Sequence, residues 1–96
     1  MDPLEQIVEA CLPFRGIKTE HAYYPSEDGE DGSLFSHGFL LSYDCEYLQI
    51  GIEDWDVYRR QDQKRWVRIT NLNDPKSIDV LKKLFKDFFK GGVDDK

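Results

Sequence analysis

Four side chains in this sequence have the chemistry of metal ligands or reactive centres: His21, His37, Cys11 and Cys45. No two of them fall at CxxC or HxxxH spacing, so nothing local prearranges a metal site. Nucleophilic catalysis needs Cys45 or Ser36 beside His37 or His21, with Asp44 or Asp54 orienting the base. Ser36 and His37 are adjacent in a segment with strand periodicity, so they point to opposite faces and cannot meet through sequence proximity. The segment Glu27-Asp28-Gly29-Glu30-Asp31-Gly32 looks superficially like a calcium loop. It lacks the alternating carboxylates and the distal Glu of such a loop, and reads as a solvated turn. The carboxylates Glu53, Asp54 and Asp56, near Asp44 and Glu46, read the same way, because acid–base work needs burial or a close like charge to raise a carboxyl pKa. There is no phosphate-binding glycine loop, dinucleotide fingerprint, nucleophile elbow or HExxH pair. The expectation is a protein that is not an enzyme, with no cofactor and no metal. A small-molecule site or weak enzyme near His37 is kept as an alternative.

The residues between 58 and 68 carry more. Arg59, Arg60, Lys64, Arg65 and Arg68 are interleaved with Tyr58 and Trp66. If Val57, Val67 and Ile69 face a core, Trp66 and Arg68 lie on the opposite face. A tryptophan beside arginines suits single-stranded nucleic acid through stacking and phosphate contacts. It equally suits a protein interface, where Trp, Tyr and Arg dominate the binding energy. The bland alternative is cross-strand pairing of these arginines with Glu46, Glu53 and Asp56.

Charge separates these readings. The chain has 96 residues, a net charge of −6 and a pI near 4.8. Residues 1–56 hold two basic against thirteen acidic residues, while residues 57–96 hold eleven basic against six acidic. An acidic protein is a poor candidate for a dedicated nucleic-acid binder. The division instead lets a basic flank meet an acidic protein, or lets the two halves neutralise each other.

The elements that must position these groups follow from periodicity. Asp2 and Pro3 open a helix over 3–14 with Leu4, Ile7, Val8, Cys11 and Leu12 as its apolar stripe, closed by Pro13 and Gly16. Residues 17–24 alternate loosely as a strand, and 25–33 form an acidic mobile loop. From 34 to 71 the period is two. Phe35, His37, Phe39, Leu41 and Tyr43 share one face of a strand, and Leu48, Ile50 and Ile52 share a face of the next, with Asp44-Cys45 at the turn. Trp55–Arg60 and Arg65–Thr70 flank Gln61–Lys64 as a hairpin without the glycine that marks strong ones. Asp74 and Pro75 open a helix over 75–90, striped by Ile78, Leu81, Leu84, Phe85 and Phe88 and ended by Gly91-Gly92. Residues 93–96 are a tail.

Taken together, the pattern predicts one α+β domain over 1–96: an N-terminal helix, a roughly five-stranded antiparallel meander sheet and a C-terminal helix. Both helices pack on one face, leaving the other partly open. No apolar run reaches the ~20 residues of a membrane span, and 1–14 lacks the marks of a signal peptide. Both cysteines therefore read as free thiols and the location as cytoplasmic. The composition is that of small acidic bacterial or phage-type proteins that act stoichiometrically, as inhibitors, immunity proteins or adaptors. The leading expectation is a protein-binding module, or a homodimer, with Tyr47, Tyr58, Arg59, Arg65, Trp66 and Arg68 as its contact residues. On an open face, loss of the Trp66 ring would abolish binding at little cost in stability.

Overall fold

Alternation of apolar and polar residues turns directly into the sheet. The computed structural model describes residues 3–11, 16–25, 34–62 and 65–89. In chain order it has α1 (Pro3–Cys11), β1 (Lys18–His21), β2 (His37–Tyr43), β3 (Glu46–Glu53), β4 (Asp56–Arg60), β5 (Trp66–Asn71) and α2 (Ser77–Phe88). The strands form one antiparallel sheet in the order β1-β2-β3-β4-β5, each beside its neighbour in sequence. The α+β meander is the expected architecture. No helix among the described residues is long and apolar enough to cross a membrane. Asp2, Pro13, the stretch 26–33, Gln63 and Lys64, and the Gly91-Gly92 stop with its tail lie outside the described residues.

Register decides which face each side chain takes. Phe39 opposes Ile50, Leu41 opposes Leu48, and Ile52 opposes Val57. These six are fully or almost fully buried and pack with Ile7, Ala10 and Cys11 of α1 and Leu81 and Phe85 of α2. Each such side chain stabilises the fold by about 1.5–3 kcal/mol relative to exposure, so this layer between sheet and helices is the main core. Phe89, one residue past α2, is also buried, and its N–H closes the helix on the Phe85 carbonyl at 2.8 Å. The stripe of α1 differs from expectation at one position: Val8 is exposed and Ala10 is buried, because α1 turns the i, i+3, i+4 set of Ile7, Ala10 and Cys11 inward. Asp74 caps the turn at Pro75 rather than the helix, accepting the Lys76 N–H at 2.9 Å, and α2 starts at Ser77.

Two turns set the strand spacing. Asp44 and Cys45 join β2 to β3, with Asp44 at φ 55°. Asp54 and Trp55 join β3 to β4 with φ of 51° and 69°, the left-handed pair of a type I′ turn. Trp55 thus belongs to the turn and not to the strand assigned to it from sequence. Its carbonyl is held by the Leu72 N–H at 2.7 Å. The register between β4 and β5 shifts after Val57: Val57 opposes Thr70 but Tyr58 opposes Arg68, which leaves Ile69 as the extra residue of a bulge.

Candidate functional site: the aromatic and basic flank of the sheet

The sheet face turned away from the helices, expected to be partly open, is covered at its centre and exposed at Tyr47 and Arg68. Its centre holds two glycines directly opposite each other, Gly38 on β2 and Gly51 on β3. Aromatic side chains from either side of the 26–33 stretch fill the notch they leave. The Phe35 ring lies on Gly51, where a Cβ would fall well inside contact distance of its ring carbons. Tyr24 lies on Gly38 and donates its hydroxyl to the Phe39 carbonyl at 2.7 Å. Burial pushes the Tyr24 phenol up to about 12, with Arg60 and Ile50 acting the other way.

Backbone contacts hold this cover down. The Ala22 N–H reaches the Gly38 carbonyl at 2.9 Å and the Leu34 N–H reaches the Tyr24 carbonyl at 2.7 Å. Ser36 donates its hydroxyl to the Ile52 carbonyl at 2.8 Å and its N–H to Glu53 at 2.7 Å. Phe35 therefore sits on the opposite side of the sheet from Phe39, not beside it: the chain bends at 34–36, and a period-two count does not pass through a bend.

Trp66 completes the cluster. Its ring centroid is 4.6 Å from Phe35 and 5.1 Å from Tyr24, both edge-on, and Phe35 reaches Tyr58 at 5.5 Å. The Arg60 guanidinium lies over the Trp66 ring at 5.7 Å and contacts Gln49 at 3.3 Å. Trp66 is thus half-buried and packed on three neighbours, which argues against its ring being dispensable for stability.

The six residues singled out from sequence divide. Tyr47, Tyr58, Trp66 and Arg68 share the face away from the helices. Tyr47 is 61% exposed, at the end of β3 beyond the cluster. Arg68 pairs with Asp56 at 2.9 Å, and Asn71 donates to the same carboxylate oxygen. Arg65 is exposed at the entrance to β5, its N–H accepted by Asp62. Arg59 is on the helix face, opposite Val67, with its guanidinium 5.5 Å over the Phe88 ring.

Asp56 gives a pH test of this corner. The Asn71 amide first, and Arg68 second, hold its carboxyl below the ordinary 3.8. A depressed folded value contributes stability above the unfolded pKa and loses it as pH falls through the folded one. Asp56→Asn is therefore expected to lower the urea midpoint at neutral pH, with the gap to the parent protein closing as pH falls well below 3.8. A gap of equal size at both pH values would show that the carboxylate charge contributes nothing.

Of the residues considered for catalysis, Ser36, His37 and Asp54 line one pocket and the cysteines lie apart from it. His37 and His21 flank Phe39 at 6.4 and 5.2 Å between ring centroids, both exposed at the rim. Cys45 is at the other end of β2, roughly 20 Å along a strand of that length. Cys11 is buried with its sulfur 3.8 Å from the Thr19 hydroxyl, and burial pushes its thiol up, away from the reactive form. Both cysteines are free. Ser36, His37, Ile52, Asp54 and Trp55 line a shallow pocket of about 200 Å³, but the Ser36 hydroxyl is turned to the Ile52 carbonyl. Among the described residues no three His, Cys, Asp or Glu side chains gather into a metal-sized group. Comparison with protein-family models, curated proteins and solved structures finds no match for this chain.

Proposed function

We propose that this chain is a stoichiometric protein-binding module whose docking surface is the β4–β5 flank. The supporting observation is the strand order. Because the sheet follows the sequence, the charge division along the chain becomes a division across the molecule. Arg59, Arg60, Arg65 and Arg68 gather at one flank of an otherwise acidic protein. Arg68 has a salt bridge to Asp56.

A basic flank with Trp66 and Tyr58 on one face and exposed Val67 on the other has the aromatic, apolar and arginine make-up of interfaces. The partner chemistry it favours is an acidic protein surface, reached quickly because opposite potentials steer the encounter. An inhibitor, immunity or adaptor role in the cytoplasm fits such stoichiometric binding.

The test compares the parent protein with an Arg65→Glu/Arg68→Glu variant as baits in nuclease-treated lysate, after thermal scans show that both are folded. Retention of a discrete protein by the parent and its loss by the variant is the expected result. Recovery only when nucleic acid is left intact would transfer this flank to nucleic-acid binding. A stabilising small molecule that protects His37 would point to the other rim.

A further inference from the structure

The basic flank ends in a sheet edge. β5 is the last strand in the order and, among the described residues, is hydrogen-bonded only to β4. It is six residues long, and from Arg65 to Asn71 it has two arginines and no acid. The other edge, β1, has four residues with Lys18 and Glu20 in alternation, a shorter template of mixed charge.

Beside the β5 edge, on the helix side, Arg59, Gln61, Val67 and Ile69 line a cavity of about 370 Å³. Val67 is 37% exposed there. The Arg59 Nε–H is buried and, among the described residues, has no hydrogen-bond partner. The guanidinium lies over the Phe88 ring. A buried donor without an acceptor is rare in folded proteins and points to a group that joins from outside. An anion with an apolar neighbour answers both the buried Nε–H and the two β-branched side chains.

The edge strand supplies one wall of the cavity, Val67 and Ile69, and that shared wall selects the ligand. We propose that an extended acidic segment of the partner adds to β5 as a sixth strand, placing one carboxylate on Arg59 and an apolar side chain against Val67 and Ile69. This rests on the reading of the chain as a protein-binding module and specifies its mode. Strand addition satisfies the open backbone groups of β5, and alternate side chains of the incoming strand fall on opposite faces. Residues two apart therefore meet Arg59 and the Val67–Ile69 wall, while those between them pass Trp66 and Arg68. The arginines also work against self-addition. A second copy of β5 laid antiparallel brings Arg65 and Arg68 close to their counterparts, and like charges at such positions are unfavourable.

The experiment titrates the isotopically labelled full chain with the peptide acetyl-EVEVEVEV-amide, followed by amide and arginine Nε–H resonances. Acetyl-KVKVKVKV-amide and a copy of the acidic peptide with proline at its centre serve as controls. The expected result is shifts confined to the β5 amides and the Arg59 Nε–H, absent with both controls. Arg59→Met is expected to weaken binding at least about tenfold with an unchanged thermal midpoint. Unmoved β5 amides at millimolar acidic peptide overturn the proposal, as does equal binding of the lysine peptide. A partner captured by the parent chain but cross-linked through Tyr47, away from β5, would remove strand addition and leave the binding module standing. Failure to capture any protein removes the module itself.

Discussion

Gly51→Ala is expected to destabilise the protein by about 1–3 kcal/mol, and to change sign once Phe35 has been truncated. The new methyl group falls inside the Phe35 ring, which Ser36 pins through its bonds to Ile52 and Glu53. Either the ring leaves the notch or β3 moves. Phe35→Ala alone is expected to cost about 3–5 kcal/mol, the usual loss for a buried phenylalanine. In that background the clash is gone, and alanine at 51 should stabilise by roughly 0.5–1 kcal/mol, because a strand glycine loses more backbone freedom on folding. Urea unfolding of the four proteins closes the cycle. A cost for Gly51→Ala that is the same with and without Phe35 would mean that the ring does not rest on the glycine.

The second large effect concerns Trp66. Trp66→Ala is expected to cost about 2–3 kcal/mol, somewhat less than the value for a fully buried tryptophan because the ring is half-exposed. For a domain of this size that corresponds to a fall of roughly 10–20 °C in thermal midpoint. The loss comes from three partners at once: Phe35, Tyr24 and the Arg60 guanidinium. Trp66→Phe retains an aromatic ring in the cluster and is expected to cost about 1 kcal/mol. It is the substitution to use when binding is measured. A Trp66→Ala protein that melts within a few degrees of the parent would restore Trp66 to the free surface.

These effects arise where sequence reading was weakest. The helices, the strand sequence and the Asp44-Cys45 turn were legible because each rests on local periodicity or a short connection. Parity likewise put Trp66 and Arg68 on the face away from the helices. The aromatic cover was not legible. An isolated glycine inside a strand signals close approach of another group, and both Gly38 and Gly51 were visible. Only the register shows that they oppose each other. Glu53, Asp54 and Asp56 read as a solvated turn, but Trp55 was given to the following strand, because a type I′ turn without asparagine or glycine has no compositional mark that fixes its central pair. Arg59 was grouped with Trp66 although strand parity alone separates it from Tyr58 and Arg60. Reading that parity through Val57 would have placed it on the helix side.

The strand order also bears on biosynthesis. A chain made from its N-terminus has produced Phe39, Leu41, Leu48, Ile50, Ile52 and Val57 before any residue of α2 exists. Hairpin-linked neighbours can pair as they emerge, since each closes over a short loop. Among the described residues, the sheet's apolar face then has Ile7, Ala10 and Cys11 of α1 to shield it until Leu81, Phe85 and Phe89 arrive. Transiently bare faces of this kind are where nascent chains associate wrongly. The lysine-bearing helix that finishes the core is thus also the element that ends the chain's dependence on whatever guards it during synthesis.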